Sequence, residues 1–82
     1  MEASRLEAMI RDAIPGAEVE AIDLQGGDHF EVVVVSERFQ GASMVARHRM
    51  VYAALGDAMK GPVHALTIRA LTPAERDDRH GG

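Results

Sequence analysis

Apolar positions along the chain repeat at helical spacing in some segments and alternate in others. From Leu6 to Ile14 they recur every three or four residues, which is the spacing of an amphipathic helix. Ser4 and Glu7 match a capping box at the start of this segment, and Pro15-Gly16 ends it. The first element is therefore predicted to be a helix with one buried face.

Two strands are predicted next, in residues 17–24 and 29–36, joined by turn residues 25–28. In the first strand the apolar phase slips at Ile22, which indicates a bulge or an edge position. In the second strand Val32 to Val35 are apolar on both faces, as is typical of a central strand or one covered on both sides. The two strands are predicted to form a hairpin.

A second amphipathic helix is predicted after Ser43, which is its N-cap candidate. The seam of this helix has i, i+4 spacing and consists of Arg47, Val51, Leu55 and Met59. Gly61-Pro62 ends the helix. The seam is expected to pack against the sheet.

The rest of the chain is predicted to be a third strand and a short helix. Residues 63–70 alternate, with His64 on the same face as Leu66 and Ile68. The segment Thr72-Pro73-Ala74-Glu75 matches a second capping box, and the helix that starts there is expected to fray in residues 79–82.

The order of elements is helix, strand, strand, one or two helices, strand, helix. Helices packed on a three-stranded sheet make an α+β domain. The segment from Ser36 to Val63 is long enough for a helical crossover to a parallel strand. We expect one domain spanning residues 1–82, with an ordered core at about 4–76 and a tail at 77–82.

The composition limits the kinds of site that the chain can form. The chain has no cysteine, which excludes disulfides and thiolate zinc sites and argues against an iron–sulfur cluster held by this chain alone. No apolar run reaches membrane-spanning length and no signal-peptide pattern is present, so a cytoplasmic protein with no membrane partner is expected. No nucleophile has an acid–base partner at motif spacing, so the protein is predicted not to be an enzyme.

Charge is unevenly distributed along the chain. The net charge is −4, and residues 1–37 carry nine acids against two arginines. Residues 38–71 instead carry five basic residues against one acid. This pattern predicts a local electropositive face on an acidic protein, a balance that does not favour nonspecific nucleic-acid binding.

Five segments, in order and at matching spacing, resemble the BolA family. They are His29–Ser36, Phe39-x-Gly41, Arg47–Tyr52, Val63–Leu66 and Thr72–Glu75. The resemblance implies the order α-β-β-α-α-β-α, similar to class II KH domains, with a helix-turn-helix-like unit of a short and a longer central helix. The glycine-x-x-glycine signature of KH domains is absent between these helices, so the usual KH clamp on RNA is not expected.

The resemblance also implies a function. BolA-like proteins partner monothiol glutaredoxins in iron–sulfur cluster trafficking or iron homeostasis. The implied cofactor is a [2Fe–2S] cluster shared with the glutaredoxin and glutathione, and none is expected in the isolated chain. Some bacterial members are described as transcriptional regulators of cell shape and stress responses, so a DNA-binding regulator is the alternative function. Whether the chain also forms a weak homodimer is left open by the sequence.

Two histidines are candidate metal ligands. His64 falls at the family's cluster-ligand position, and histidine can replace cysteine on one iron of a [2Fe–2S] centre. From the residues alone, the alternative is a histidine at a strand start that packs and bonds a carbonyl. His29, beside the hairpin turn, is the second candidate, with an exposed strand-start residue as its alternative. Many relatives carry a cysteine or an extra histidine in the loop that corresponds to residues 25–28, which here has neither.

Four basic residues are candidates for binding a partner or nucleic acid: Arg38, Arg47, Arg49 and Lys60. Arg47 and Arg49 lie about 200° apart around the predicted helix. One can therefore reach a partner or a phosphate while the other braces the fold against the acidic first half. The alternative is a solvated basic face.

Overall fold

The computed structural model describes residues 1–60 and 65–81, which form three helices and three strands. The helices are α1 (Ala3–Ala13), α2 (Met44–Leu55) and α3 (Pro73–Gly81). The strands are β1 (Glu18–Gln25), β2 (His29–Val35) and β3 (Ala65–Leu71). Two 3-10 segments occupy Glu37–Phe39 and Gly56–Lys60. The α+β class is confirmed, and the short central helix before α2 is a single 3-10 turn.

The sheet has the strand order β1-β2-β3. β1 and β2 are antiparallel, while β2 and β3 are parallel, in a register that pairs His29 with Ala65 and Val35 with Leu71. The predicted hairpin, the central position of β2 and the parallel crossover are therefore confirmed. The irregularity expected in β1 is a register shift between Asp23 and Gln25, close to the turn.

The core lies between the sheet and the pair α1–α2. Its largest fully buried side chains are Phe30, Phe39, Leu6, Ile10, Leu55, Val32, Val34 and Val51. Three residues of the predicted i, i+4 seam are confirmed, because Arg47, Val51 and Leu55 are buried on α2. The helix was predicted to continue to Gly61-Pro62, but it ends at Leu55, and Met59 packs against the core from the 3-10 segment that follows. Burial of this apolar surface is the main force that holds the helices on the sheet.

Two of the three predicted helix caps are present. The Ser43 hydroxyl accepts a hydrogen bond from the Ala46 amide at 3.1 Å and caps α2. At the start of α3, the Glu75 amide donates to Thr72 Oγ1 at 3.1 Å, and the Thr72 amide donates to Glu75 Oε1 at 2.8 Å. These reciprocal bonds satisfy two amides that a helix start leaves unpaired.

The capping box predicted for α1 is wrong. The helix begins at Ala3 and has Glu2 at the N-cap, with no side-chain cap. The carboxylate of Glu7 instead accepts a hydrogen bond from the Ala21 amide of β1 at 2.9 Å. Glu7 is thus used as the acceptor for an amide on the outer edge of β1. At the start of α1, the amides of Arg5 and Leu6 donate to the backbone carbonyl of Glu2.

The ends of two other elements differ from their predicted positions. α3 continues to Gly81 and does not end before residue 79. β3 is described from Ala65, and the earlier residues of the predicted third strand, Val63 and His64, lie outside the described residues. Among the helices described here, none is long and apolar enough to cross a membrane.

Candidate functional site

His29 lies at the end of the sheet where β2 and β3 both begin. It is half-buried, and its register partner is Ala65. The Ala65 amide donates a hydrogen bond to the carbonyl of Asp28 at 3.1 Å, which joins the hairpin turn to the start of β3. His64 precedes Ala65 in sequence but lies outside the described residues, so an approach of the two imidazoles stays a prediction.

The two histidine candidates alone do not make up the ligand set of a [2Fe–2S] cluster. Within residues 1–60 and 65–81, no three His, Asp or Glu side chains come together as a metal site. The chain has no cysteine to supply a thiolate. A [2Fe–2S] cluster takes four ligands, most often thiolates, and His29 and His64 offer at most two imidazoles. Thiolates for such a cluster would have to come from another molecule.

Arg47 is the most heavily bonded side chain of α2. Its Nε donates to the Ala42 carbonyl at 3.0 Å and its Nη1 to the Ala70 carbonyl at 3.1 Å. Both terminal nitrogens also donate to Glu75, at 2.7 and 3.3 Å. The guanidinium lies 5.9 Å from the centre of the Phe39 ring, within cation–π range. One side chain thus joins α2, β3, α3 and the 3-10 turn.

This network perturbs Glu75. Hydrogen bonds from the Arg47 guanidinium and then from the Thr72 backbone amide lower the pKa of Glu75 from 4.5 to about 2. Both interactions favour the ionised carboxylate, since each places a donor on its oxygens. Glu75 therefore caps α3 and pairs with α2 at the same time.

The placement of Arg47 corrects its predicted role. It is 7% exposed and its guanidinium binds inside the chain, so it braces the fold and does not present itself to a partner. The brace is made with Glu75 in the last helix, and not with the acidic first half. The sequence signal for this pairing was the capping box, which fixes Glu75 at the start of α3.

The other predicted basic residues are less enclosed. Arg38, in the 3-10 turn, and Arg49, on α2, are both exposed. The side chain of Lys60 lies outside the described residues, so its predicted role is neither supported nor opposed. Arg38 and Arg49 are the two basic candidates that the structure leaves on the surface.

The outer surface of α2 combines apolar and basic side chains. Met44, Val45 and Tyr52 are all more than 40% exposed, and Arg49 lies among them. His48 is half-buried, and its Nε2 atom is enclosed without a hydrogen-bond partner in the described part of the chain. A cluster of exposed apolar groups with a charged neighbour is typical of a protein-binding surface.

Comparisons with known proteins agree with this architecture. A family model described as BolA-like protein matches residues 7–75, from α1 to the start of α3. BolA-like protein 1 of Bos taurus is 60% identical over 47 residues, covering 57% of this chain and 35% of the relative. The match thus spans about a third of the length of that relative. The DNA-binding transcriptional regulator BolA of Escherichia coli (strain K12) is 35% identical over 79 residues, covering 87% of this chain and 75% of the relative.

A solved structure supports the fold directly. BolA1 from Arabidopsis thaliana superimposes with a TM-score of 0.81 at 33% identity, covering 92% of this chain and 98% of that chain. The family model covers most of the sequence, and the three-dimensional likeness covers nearly all of it. The chain belongs to the BolA-like family.

Proposed function

We propose that this protein is an accessory factor in iron–sulfur cluster trafficking that binds a monothiol glutaredoxin. The observation that carries the proposal is the sheet end, where His29 begins β2 and pairs with Ala65, the residue that follows His64. His29 thus begins β2 in a cysteine-free chain, and His64 comes directly before the pairing partner of His29 in the sequence. The role is one of binding and transfer, and no catalytic step is assigned to this chain.

The cluster is proposed to be shared between the two proteins. His64 supplies an imidazole to one iron, and the glutaredoxin and glutathione supply thiolates. His29 is the second candidate, because the turn at residues 25–28 contains neither cysteine nor histidine. When bound, the [2Fe–2S] cluster supplies the group that is transferred or sensed. The chain's own part is to hold one side of it.

The charge of α2 supports an anionic partner. This helix contains Arg47 and Arg49 but no Asp or Glu. Arg49 is exposed, together with Arg38 of the preceding 3-10 turn. Exposed basic groups attract an acidic protein surface or an anionic cluster and raise the rate of encounter.

The test is reconstitution of the mixed complex. The full chain is co-expressed with candidate monothiol glutaredoxins in the presence of glutathione, and the complex is followed by absorption and circular dichroism spectra. His64→Ala, His29→Ala and His80→Ala are compared with the unsubstituted protein. His80 lies near the end of α3 and is the matched control.

We expect a coloured complex whose spectrum His64→Ala alters or whose cluster lifetime it shortens. His80→Ala should leave both unchanged, and His29→Ala should have a smaller effect than His64→Ala. Binding of the apo-glutaredoxin should survive every substitution. No complex with any monothiol glutaredoxin would refute the proposed function, and an unaltered His64→Ala complex would refute the ligand assignment.

A DNA-binding regulator is the second candidate. It is favoured by the name of the Escherichia coli relative and by the exposure of Arg38 and Arg49. The burial of Arg47 removes one of the expected phosphate contacts, and the chain's net charge of −4 opposes binding to a polyanion. A salt titration of duplex binding separates the functions, because only sequence-dependent affinity at physiological salt would support the regulator.

A further inference from the structure

The two edges of the sheet differ in how far side chains cover their outward backbone groups. The parallel register with β2 directs the N–H and C=O of Ala65, Thr67, Arg69 and Leu71 toward β2. The backbone groups of the alternate residues, Leu66, Ile68 and Ala70, therefore point away from the sheet. The Ala70 carbonyl is occupied by Arg47, which agrees with this assignment.

Side chains of α1 occupy the opposite edge, which is formed by β1. Glu7 accepts from the outward amide of Ala21, and Arg11 donates to the outward carbonyl of Val19 at 3.0 Å. Glu7 and Arg11 also lie 3.9 Å apart as an ion pair. Charged groups that occupy a strand edge prevent another strand from adding there.

The edge of β3 has no such cover in the part of the chain that the structure describes. The N–H and C=O groups of Leu66 and Ile68 have no hydrogen-bond partner among those residues. Two donors and two acceptors are thus presented in a row. This is the arrangement to which an extended polypeptide adds as a further strand.

A flank of α2 lies above this edge. α1 lies over β1, where its side chains reach the backbone, and α2 reaches the outer edge of β3 through Arg47. Met50 packs against the core on one flank of α2. Measured in the same sense around the helix, Met44 and Tyr52 lie about 120° and 200° from Met50. The right-handed crossover that joins the parallel strands β2 and β3 turns this side of α2 toward β3. Both side chains are exposed, at 52% and 43%.

The charge of α2 and β3 indicates which kind of partner would bind them. The chain contains 13 Asp and Glu residues, yet neither α2 nor β3 contains one. Arg49 is exposed on α2, and Arg69 on β3 pairs with Glu31 at 3.2 Å. A second copy would bring the same basic groups against each other. An acidic segment would be attracted to them.

We infer that the open edge of β3 and the flank Met44–Tyr52 of α2 bind an extended acidic segment of a partner protein as a fourth strand. The segment bonds Leu66 and Ile68 through its backbone, and its apolar side chains contact Met44 and Tyr52. Its acidic side chains face Arg49. This surface needs no cluster and no histidine, so it goes beyond the proposed function and stands or falls separately from it.

The experiment is residue-resolved amide hydrogen exchange on the full chain, free of glutaredoxin. The probe is a short synthetic peptide of alternating valine and glutamate, and the control peptide has lysine in place of glutamate. Leu66 and Ile68 should exchange faster than Thr67 and Arg69 in the free protein, because only the latter bond to β2. The valine–glutamate peptide should slow Leu66 and Ile68 by about tenfold or more at saturation.

Two charge reversals complete the design. Arg49→Glu should weaken binding of the valine–glutamate peptide about tenfold, while Arg5→Glu, at an exposed position of α1, should change it less than about twofold. Unchanged exchange at Leu66 and Ile68 on peptide addition would overturn the inference. Protection that grows with protein concentration alone would identify a second copy as the occupant. Protection by a single-stranded oligonucleotide that displaces the peptide would identify a nucleic acid, and either of these results overturns it.

Discussion

The guanidinium of Arg47 joins parts of the chain that are remote in sequence. Its partners are the carbonyls of Ala42 and Ala70 and the carboxylate of Glu75. A planar guanidinium suits this task because its five N–H donors are spread over three nitrogens, whereas the three donors of a lysine all radiate from one nitrogen. The residue is therefore structural, although its position in a basic segment suggests a binding role.

Replacing Arg47 should destabilise the fold. Arg47→Met keeps most of the apolar stem but leaves the carbonyls of Ala42 and Ala70 without their donor, at a cost of about 2–4 kcal/mol in the free energy of unfolding. Urea melts measure it. Arg49→Met, at an exposed position of the same helix, is the control and should change stability by less than about 0.5 kcal/mol. Equal effects of the two substitutions would contradict the bracing role of Arg47.

The lowered pKa of Glu75 predicts a pH dependence. Because the pKa falls from 4.5 to about 2 in the folded protein, the stabilising contribution of this carboxylate is complete above 4.5. It is lost as the pH falls toward 2, where the folded protein takes up the proton. The difference in unfolding free energy between the unsubstituted protein and Glu75→Gln should therefore shrink over that interval. A difference that stays constant from neutral pH to about 2 would count against the Arg47–Glu75 pair.

His48 offers a test of an unsatisfied polar atom. Its Nε2 is enclosed with no partner in the described part of the chain, which is unfavourable for a polar group. His48→Leu removes that atom and introduces a better helix former, so the free energy of unfolding should stay the same or rise by up to about 1 kcal/mol. Thermal and urea melts measure the change. A loss of about 1 kcal/mol or more would show that the imidazole makes a stabilising interaction.

At the scale of elements, α2 has two faces with separate tasks. Val51 and Leu55 are buried against the sheet, while Met44 and Tyr52 remain exposed. The i, i+4 spacing predicted the buried face, because residues three or four apart lie on one side of a helix and are buried together when that side packs on a sheet. The exposed face carries Arg49 and belongs to the surface that we propose for a partner.

Leu55 should be among the costly positions of this helix. It is 1% exposed, so Leu55→Ala removes buried methyl groups and leaves a cavity, at a cost of about 2–5 kcal/mol. Val45→Ala is the control, because Val45 is 61% exposed and its truncation should cost less than about 0.5 kcal/mol. Urea denaturation of both variants measures the difference. A cost below about half a kilocalorie for Leu55→Ala would show that the seam is not core.

At the scale of the whole molecule, the sequence predicted the structural features that depend on the pattern of neighbouring residues. The strand run around Val32, the seam at Val51 and the caps at Ser43 and Thr72 all follow from neighbouring residues, and each is confirmed. The failed cap at Glu7 depended on a distant strand edge, which competes for the carboxylate.

The candidate site was less predictable than the fold. The i, i+4 seam predicted that Arg47 is buried, but its hydrogen-bond partners could not be foreseen, because Ala70 and Glu75 approach it only after β3 and α3 return to α2. The open edge of β3 likewise depends on strand order, since the same residues would be paired in the middle of a sheet. The identification of His64 as a ligand still rests on family resemblance, and that residue lies outside the described part of the chain.

The central claim, that this chain contributes an imidazole to a shared cluster, is tested most directly by pulsed electron paramagnetic resonance. The mixed complex with a monothiol glutaredoxin is reduced, and nitrogen couplings to the cluster are recorded for the unsubstituted protein, His64→Ala and the control His80→Ala. Ligation by His64 predicts strong nitrogen couplings in the unsubstituted and His80→Ala complexes, and the loss of the His64 coupling in His64→Ala, where any remaining coupling comes from His29. An unchanged set of couplings in His64→Ala, or no coupling in the unsubstituted complex, would contradict the assignment of His64.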